Sequence, residues 1–109
     1  MPTVRTFNPE GRLDGDRANQ LRQEIMDAVQ EKPDIVLLDL TEVNFMNSSA
    51  IGALVAMKKA VEKADIKFCL CSVSDQVKVI FELTRMDQVL KPFDDRATFE
   101  TEVFPLFSD

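Results

Sequence analysis

The sequence predicts a single α/β domain built on a mainly parallel sheet of about four strands, with about four helices packed against it. Three observations lead there. Short apolar runs alternate with segments whose apolar residues recur every three or four positions, so strand and helix periods take turns along the chain. Pro, Gly or a capping residue marks most of the changes of period. No linker, internal repeat or low-complexity tract divides the 109 residues, a length that suits one core. Regular alternation of this kind calls for right-handed crossovers between parallel strands.

The elements follow in order. Val4-Arg5-Thr6-Phe7 alternates apolar and polar residues and reads as a half-buried strand, broken by Pro9-Glu10-Gly11. Gly11-Arg12-Leu13-Asp14-Gly15 reads as a turn, with Asp14 or Asp16 available to cap the next helix. Ala18, Leu21, Ile25, Ala28 and Val29 place one apolar face on a helix over residues 17–30, which Lys32-Pro33 ends. The continuous run Ile35-Val36-Leu37-Leu38-Asp39-Leu40 has the look of a central strand covered on both faces. Residues 41–47 read as a linker. Ile51, Leu54, Val55 and Val61 then mark a second amphipathic helix reaching about Ala64, and residues 68–73 form the next buried strand.

Ser74 or Asp75 can cap a third helix carrying Val77, Ile80, Phe81 and Leu83, which fades near Arg85-Met86. Val89-Leu90 reads as a short last strand, and Asp94-Asp95 opens a terminal helix with Ala97, Phe99, Val103 and Phe104. The apolar tail Val103-Phe104-Pro105-Leu106-Phe107 either covers the core or forms part of a contact.

Composition narrows the function classes. Hydrophobic residues make up 45% and charged residues 29% of the chain, which is neither a disordered tail nor a membrane span. The longest apolar runs, at 35–38 and 51–57, fall far short of the roughly 20 residues a spanning helix needs. The N-terminus has no apolar stretch of the signal-peptide kind, so a soluble cytoplasmic protein is expected. A net charge of −6 with dispersed Lys and Arg argues against direct binding to nucleic acid or a membrane surface.

The chain contains no histidine. That removes Ser-His-Asp and Cys-His nucleophiles and any histidine-ligated metal. Cys69 and Cys71, two apart on a strand, share one face and match neither a redox Cys-x-x-Cys nor a zinc pattern. They read as small, reduced core residues. No phosphate-cradling Gly-rich loop and no metal-binding carboxylate set stands out. Lys- or carboxylate-based chemistry stays formally open, although no cluster of such residues stands out from the charged surface, and no metal or cofactor is expected.

The place to look for function is the junction after Leu40, where Asn47-Ser48-Ser49-Ala50 opens the second helix. Functional groups in open α/β sheets gather beyond the carboxyl ends of the strands, and a helix start tolerates an anion. Plain N-capping accounts for Asn, Ser and Ser equally well. Ala50 and Gly52 either leave room for another chain or pack the helix on the sheet.

The run Ile35-Val36-Leu37-Leu38-Asp39-Leu40-Thr41-Glu42-Val43-Asn44-Phe45-Met46-Asn47-Ser48-Ser49-Ala50-Ile51-Gly52-Ala53-Leu54 closely resembles the signature of STAS domains. These are the sulphate-transporter and anti-sigma-factor-antagonist family, whose pattern is an apolar strand, a short linker and Asp-Ser-Ser-Gly-Leu-Gly. Gly11-Arg12-Leu13-Asp14 is similar to the family's Gly-x-Leu-Asp before the first helix. Val73-Ser74-Asp75-Gln76-Val77 and Phe81-Glu82-Leu83-Thr84-Arg85-Met86 resemble the segments that enter and close the third helix. The resemblance spans about residues 4–104 of one domain.

It implies an anti-sigma factor antagonist in a partner-switching system, a non-enzyme with no catalytic residue that is the substrate of the chemistry and not its catalyst. Ser48 would be the phosphate acceptor, and Asn47, Ser48, Ser49, Ala50 and Gly52 would form the partner-binding segment. The unphosphorylated protein would hold an anti-sigma factor that is also a serine kinase. Phosphorylation would release it and a serine phosphatase would reset it, the free protein being a monomer by default. The alternative is a STAS adaptor or scaffold subunit of a signalling or transport assembly, not phosphorylated at Ser48. The chain departs from the family pattern at Asn47, usually Asp, and at Ala50, usually Gly. Val4–Phe7 is similar to the second strand of many family members, so an exposed sheet edge is expected from the resemblance.

Overall fold

A computed structural model describes residues 1–107. The chain forms β1 (Val4–Phe7), β2 (Gly11–Leu13), α1 (Gly15–Val29), β3 (Ile35–Asp39), β4 (Val43–Met46), α2 (Ser48–Lys63), β5 (Lys67–Cys71), α3 (Asp75–Leu83), α4 (Met86–Leu90) and α5 (Arg96–Val103), followed by a 3₁₀ turn at Phe104–Phe107. β1, β3 and β5 make a parallel sheet with β3 in the middle, in the registers Val4↔Ile35 and Ile35↔Lys67. β2 and β4 make a separate parallel ribbon. The α/β class and the parallel sheet are as the alternating periods predict.

The central strand shows why. Ile35, Val36, Leu37 and Leu38 are all fully buried, because each face of the sheet has its own cover. Val36 and Leu38 point into the larger core with Phe68 and Leu70 of β5. There they meet Ala18, Leu21 and Ile25 of α1 and Ala50, Leu54, Met57 and Val61 of α2. Ile35 and Leu37 point the other way, into a smaller core with Cys69, Cys71, Phe99 and Val103. The strand period of two thus sorts one sequence into two cores. Cys69 and Cys71 share a face as their spacing predicts, and both are free thiols.

Four expectations are corrected. Gly11–Leu13 is a strand and not a turn. Gly11 takes the left-handed φ of +75°, and its N–H donates to the Glu42 carbonyl at 2.8 Å. The expected linker at 41–47 contains β4, which pairs with β2. Elements of three and four residues carry too little periodicity to announce themselves, and each exists only because the other supplies its hydrogen bonds.

Val89-Leu90 belongs to helix α4, not to a strand. The extra sheet pairing is a single bridge from Cys71 to Phe93, where Phe93 N–H donates to Leu70 at 2.9 Å and Ser72 N–H to Phe93 at 3.0 Å. Leu83 and Ala97 are exposed, Leu83 at 80%, so neither belongs to its helix's buried face.

Helix ends follow capping chemistry. Asp14, Asn47, Ser74 and Asp95 each accept from the backbone N–H three residues on, satisfying donors that a helix start leaves unpaired. At α5 the Thr98 N–H lies 2.7 Å from Asp95 and holds that carboxyl below its ordinary pKa.

Candidate functional site

The β2–β4 ribbon sets the geometry of the site. Leu13 pairs with Met46 in register. Asp14 and Asn47 follow as caps, and α1 and α2 begin one residue later at Gly15 and Ser48. Two helices therefore start level and side by side. A Cβ placed on Gly15 would stand 3.1 Å from the Ser49 Cβ, which measures how closely the two starts approach.

Within the α2 start the five residues singled out by sequence divide into separate jobs. Asn47 Oδ1 accepts from the Ala50 N–H at 2.9 Å, and the Asn47 carbonyl accepts from Ile51 N–H at 3.1 Å. Asn47 is therefore the cap, half-buried and committed to the backbone. Ser48 and Ser49 are both exposed in the first turn. Ala50 is fully buried among the residues of the larger core, so its methyl packs α2 on the sheet and offers no surface. Gly52 is exposed, and an added Cβ there would meet no atom within 4 Å. Ser48, Ser49 and Gly52 thus form the open part of the segment.

The electrostatics of the start are simple. The first turn of α2 contains no acidic residue, so no carboxylate of its own offsets the partial positive charge of the helix start, while Asp14 and Asp16 open the neighbouring α1. An anion placed on Ser48 would be tolerated by the helix that carries it.

Sequence reasoning missed two neighbours of this segment. Arg12 on β2 lays its guanidinium over the Phe45 ring of β4, 4.2 Å from the centroid, a cation–π contact on an exposed arginine. Ser74, the cap of α3, donates its hydroxyl to the Val43 carbonyl at 2.9 Å and so fastens α3 to the ribbon. The signal for the first was the β-branched and aromatic content of Val43-Asn44-Phe45-Met46, which marks a strand. The second has no sequence signal, since a capping serine looks the same whatever else it binds.

The cysteines lie apart from this surface chemistry. Burial pushes the Cys69 thiol up to about 11 and raises Cys71 as well, so both stay protonated and unreactive at neutral pH. Among the described residues no group of His, Cys, Asp and Glu could hold a metal ion, and no helix is long and apolar enough to cross a membrane.

Comparison with known proteins places this architecture. The STAS domain family model matches residues 1–100. The anti-sigma-B factor antagonist of Listeria monocytogenes is 30% identical over 82 residues, which is 74% of this chain and 71% of the relative. A sulfate transporter family protein from Wolinella succinogenes superposes with a TM-score of 0.81 at 19% identity, over 95% of this chain and 87% of that one. The Bacillus cell fate determinant SpoIIAA in its phosphorylated form superposes with a TM-score of 0.66 at 18% identity, over 99% and 94% of the two chains. With a family match across nearly its whole length and the strand–cap–helix order that goes with it, the chain belongs to the STAS domain family.

Proposed function

We propose that this protein is an anti-sigma factor antagonist of a cytoplasmic partner-switching system and that Ser48 is its phosphorylation site. The observation that carries the reading is the contrast within the α2 start. Ser48 stands exposed as the first helical residue, while Asn47 already supplies the cap. A capped helix does not need the Ser48 hydroxyl, which is left free for chemistry. The name of the Listeria relative and the phosphorylated form of SpoIIAA support the same assignment.

In the unphosphorylated state Ser48, Ser49 and Gly52 face an anti-sigma factor that is also a serine kinase. That partner transfers the γ-phosphoryl group of ATP to the Ser48 hydroxyl, releasing ADP and a proton. The product carries about −1.5 to −2 charges and three acceptor oxygens. Inside a docked surface that charge must be desolvated or repelled, so the complex dissociates. On the free protein it sits at a helix N-terminus and leaves the fold intact. A serine phosphatase hydrolyses the ester and restores binding. The protein is the substrate of this cycle and not its catalyst.

The likeness to a transporter-family protein supplies the competing reading, an adaptor that docks through the same domain without modification. Incubation with serine kinases from the same genome and ATP, followed by mapping of phosphate by mass spectrometry, separates the two. Label on Ser48 that is lost in Ser48→Ala is the expected result. Absence of label with every such kinase, together with unchanged partner binding by Ser48→Asp, would favour the adaptor.

A further inference from the structure

We infer that the cleft between α3, α4 and the Pro92-Phe93 strap is a small-molecule site, and that its ligand is a free amino acid with an aromatic or bulky apolar side chain. The cleft holds about 370 Å³, within the roughly 300–1,000 Å³ of small-ligand pockets. A smaller recess of about 80 Å³ opens beside it along the same strap. Both lie past the carboxyl end of β5, where open α/β sheets gather ligands. Val73 follows that strand closely, and Phe93 bridges to Cys71, its last residue.

The floor is apolar and fixed. Val73, Phe81, Pro92 and Phe93 line it. The Phe93 N–H donates to the Leu70 carbonyl, its own carbonyl accepts from the Ser72 N–H, and its ring meets Phe99 edge to face. Phe81 is anchored in the larger core. Left-handed backbone at Ser72, Arg85 and Lys91, with φ of +62°, +60° and +45°, turns the chain sharply before Val73 and at both ends of α4. Non-glycine residues keep that geometry where their surroundings impose it. Two aromatic rings on a preformed floor suit an aromatic or branched apolar group.

The rim selects a zwitterion. Two helices each contribute one charge of each sign, four residues apart: Lys78 and Glu82 on α3, Asp87 on α4 with Lys91 at its C-cap. Glu102 of α5 adds a third carboxylate. Charges at that spacing commonly pair with each other. Yet the ion pairs among the described residues are Arg5–Glu31, Lys58–Glu62 and Arg96–Glu100, so the five rim charges stay uncommitted. A bare anion would face Glu82, Asp87 and Glu102, and a bare cation would face Lys78 and Lys91. An ammonium and a carboxylate on one carbon answer both sets at once, while the side chain of the same molecule covers the floor. None of these residues belongs to the Ser48 segment, so the site can be tested apart from the switch.

The test is a titration of the full chain with L-phenylalanine, followed by ¹H–¹⁵N chemical shifts and repeated with glycine, phenylacetate and phenethylamine. Saturable shifts at α3, α4 and residues 91–94 are expected, with a Kd of about 1 mM or tighter. Glycine lacks the side chain, phenylacetate the ammonium and phenethylamine the carboxylate, and each should bind at least about tenfold more weakly. Lys78→Gln and Glu82→Gln alter exposed side chains of α3, and each should weaken phenylalanine binding at least about threefold with the fold intact.

No saturable shift up to about 20 mM phenylalanine would overturn the inference. So would shifts confined to another part of the chain, or phenylacetate or phenethylamine binding as tightly as phenylalanine. Unchanged affinity in both α3 variants would overturn it as well.

Discussion

The two faces of the three-stranded sheet are closed by opposite means. On one face α5 lies over Ile35, Leu37, Cys69 and Cys71, and Phe99 makes edge-to-face contacts with Phe93 at 5.8 Å and with Phe104 at 5.7 Å. The interior there is apolar packing, with Arg96 of α5 donating to the Thr6 hydroxyl of β1 at its rim. On the other face α1 and α2 pack as a pair, and their level starts bring a capped, partly open segment to the surface at Ser48. The first face is a closure and the second a closure that also presents a group. On the proposed function, the residue to be modified stands on a helix start already satisfied by another side chain, so that a phosphate there would add charge without removing a structural bond.

Substitutions can break each half of that contrast in turn. The largest effect is expected at Phe99, which is fully buried between two aromatic partners. Phe99→Ala should cost about 3–5 kcal/mol in urea unfolding, with no specific change in partner affinity for the fraction that remains folded. At Asn47 the cap is what matters. Asn47→Ala removes the 2.9 Å bond to Ala50 N–H and should cost about 0.5–2 kcal/mol, while Asn47→Asp should keep the stability.

The buried thiols give a pH signature of the closed face. Cys69 is raised in the fold from 9.0 to about 11, so the folded state holds its proton where the unfolded state has lost it. Its contribution is complete below pH 9 and disappears as pH climbs to about 11. Unfolding measured across that window should show a loss on the order of 1 kcal/mol from Cys69, so Cys69→Ala should lose less and keep only what Cys71, raised as well, contributes. The smallest change is expected at Gly52, where a methyl meets nothing. Gly52→Ala should raise stability by about 0.4–1 kcal/mol and, if the proposed docking surface is right, weaken partner binding, because the bare turn it fills is part of that surface. Titration calorimetry beside thermal unfolding would show the two effects with opposite signs.

The sequence made the long elements plain and the short ones nearly invisible. Ile35-Val36-Leu37-Leu38 and the periodic faces of α1 and α2 announce themselves because burial on both sides, or along one stripe, repeats over many residues. β2 and β4 escaped because each has at most four residues and depends on the other, across some thirty positions of sequence, for its hydrogen bonds. The same dependence hid part of the site. Asn47, Ser48 and Ser49 were legible as a helix start, and the family pattern singled out Ser48. The level start of α1 and the close approach of Gly15 to Ser49 are products of ribbon register, which no local pattern encodes, and the Arg12–Phe45 stack needs that register beyond the strand signal of residues 43–46. For Ala50 the residues alone leave close approach and core packing equally open, because a small residue beside a docking site and one in a core read alike, and its burial places it in the core.

The central claim is that one phosphate on Ser48 separates the partners while the fold stands. The direct measurement is the affinity of the anti-sigma factor kinase for the enzymatically phosphorylated protein against the unmodified one, with thermal unfolding of both. A loss of at least about tenfold in affinity, 1.4 kcal/mol, is expected, with stability shifted by no more than about 1 kcal/mol. Equal affinities for the two forms, or a phosphorylated protein that binds weakly only because it has unfolded, would contradict it.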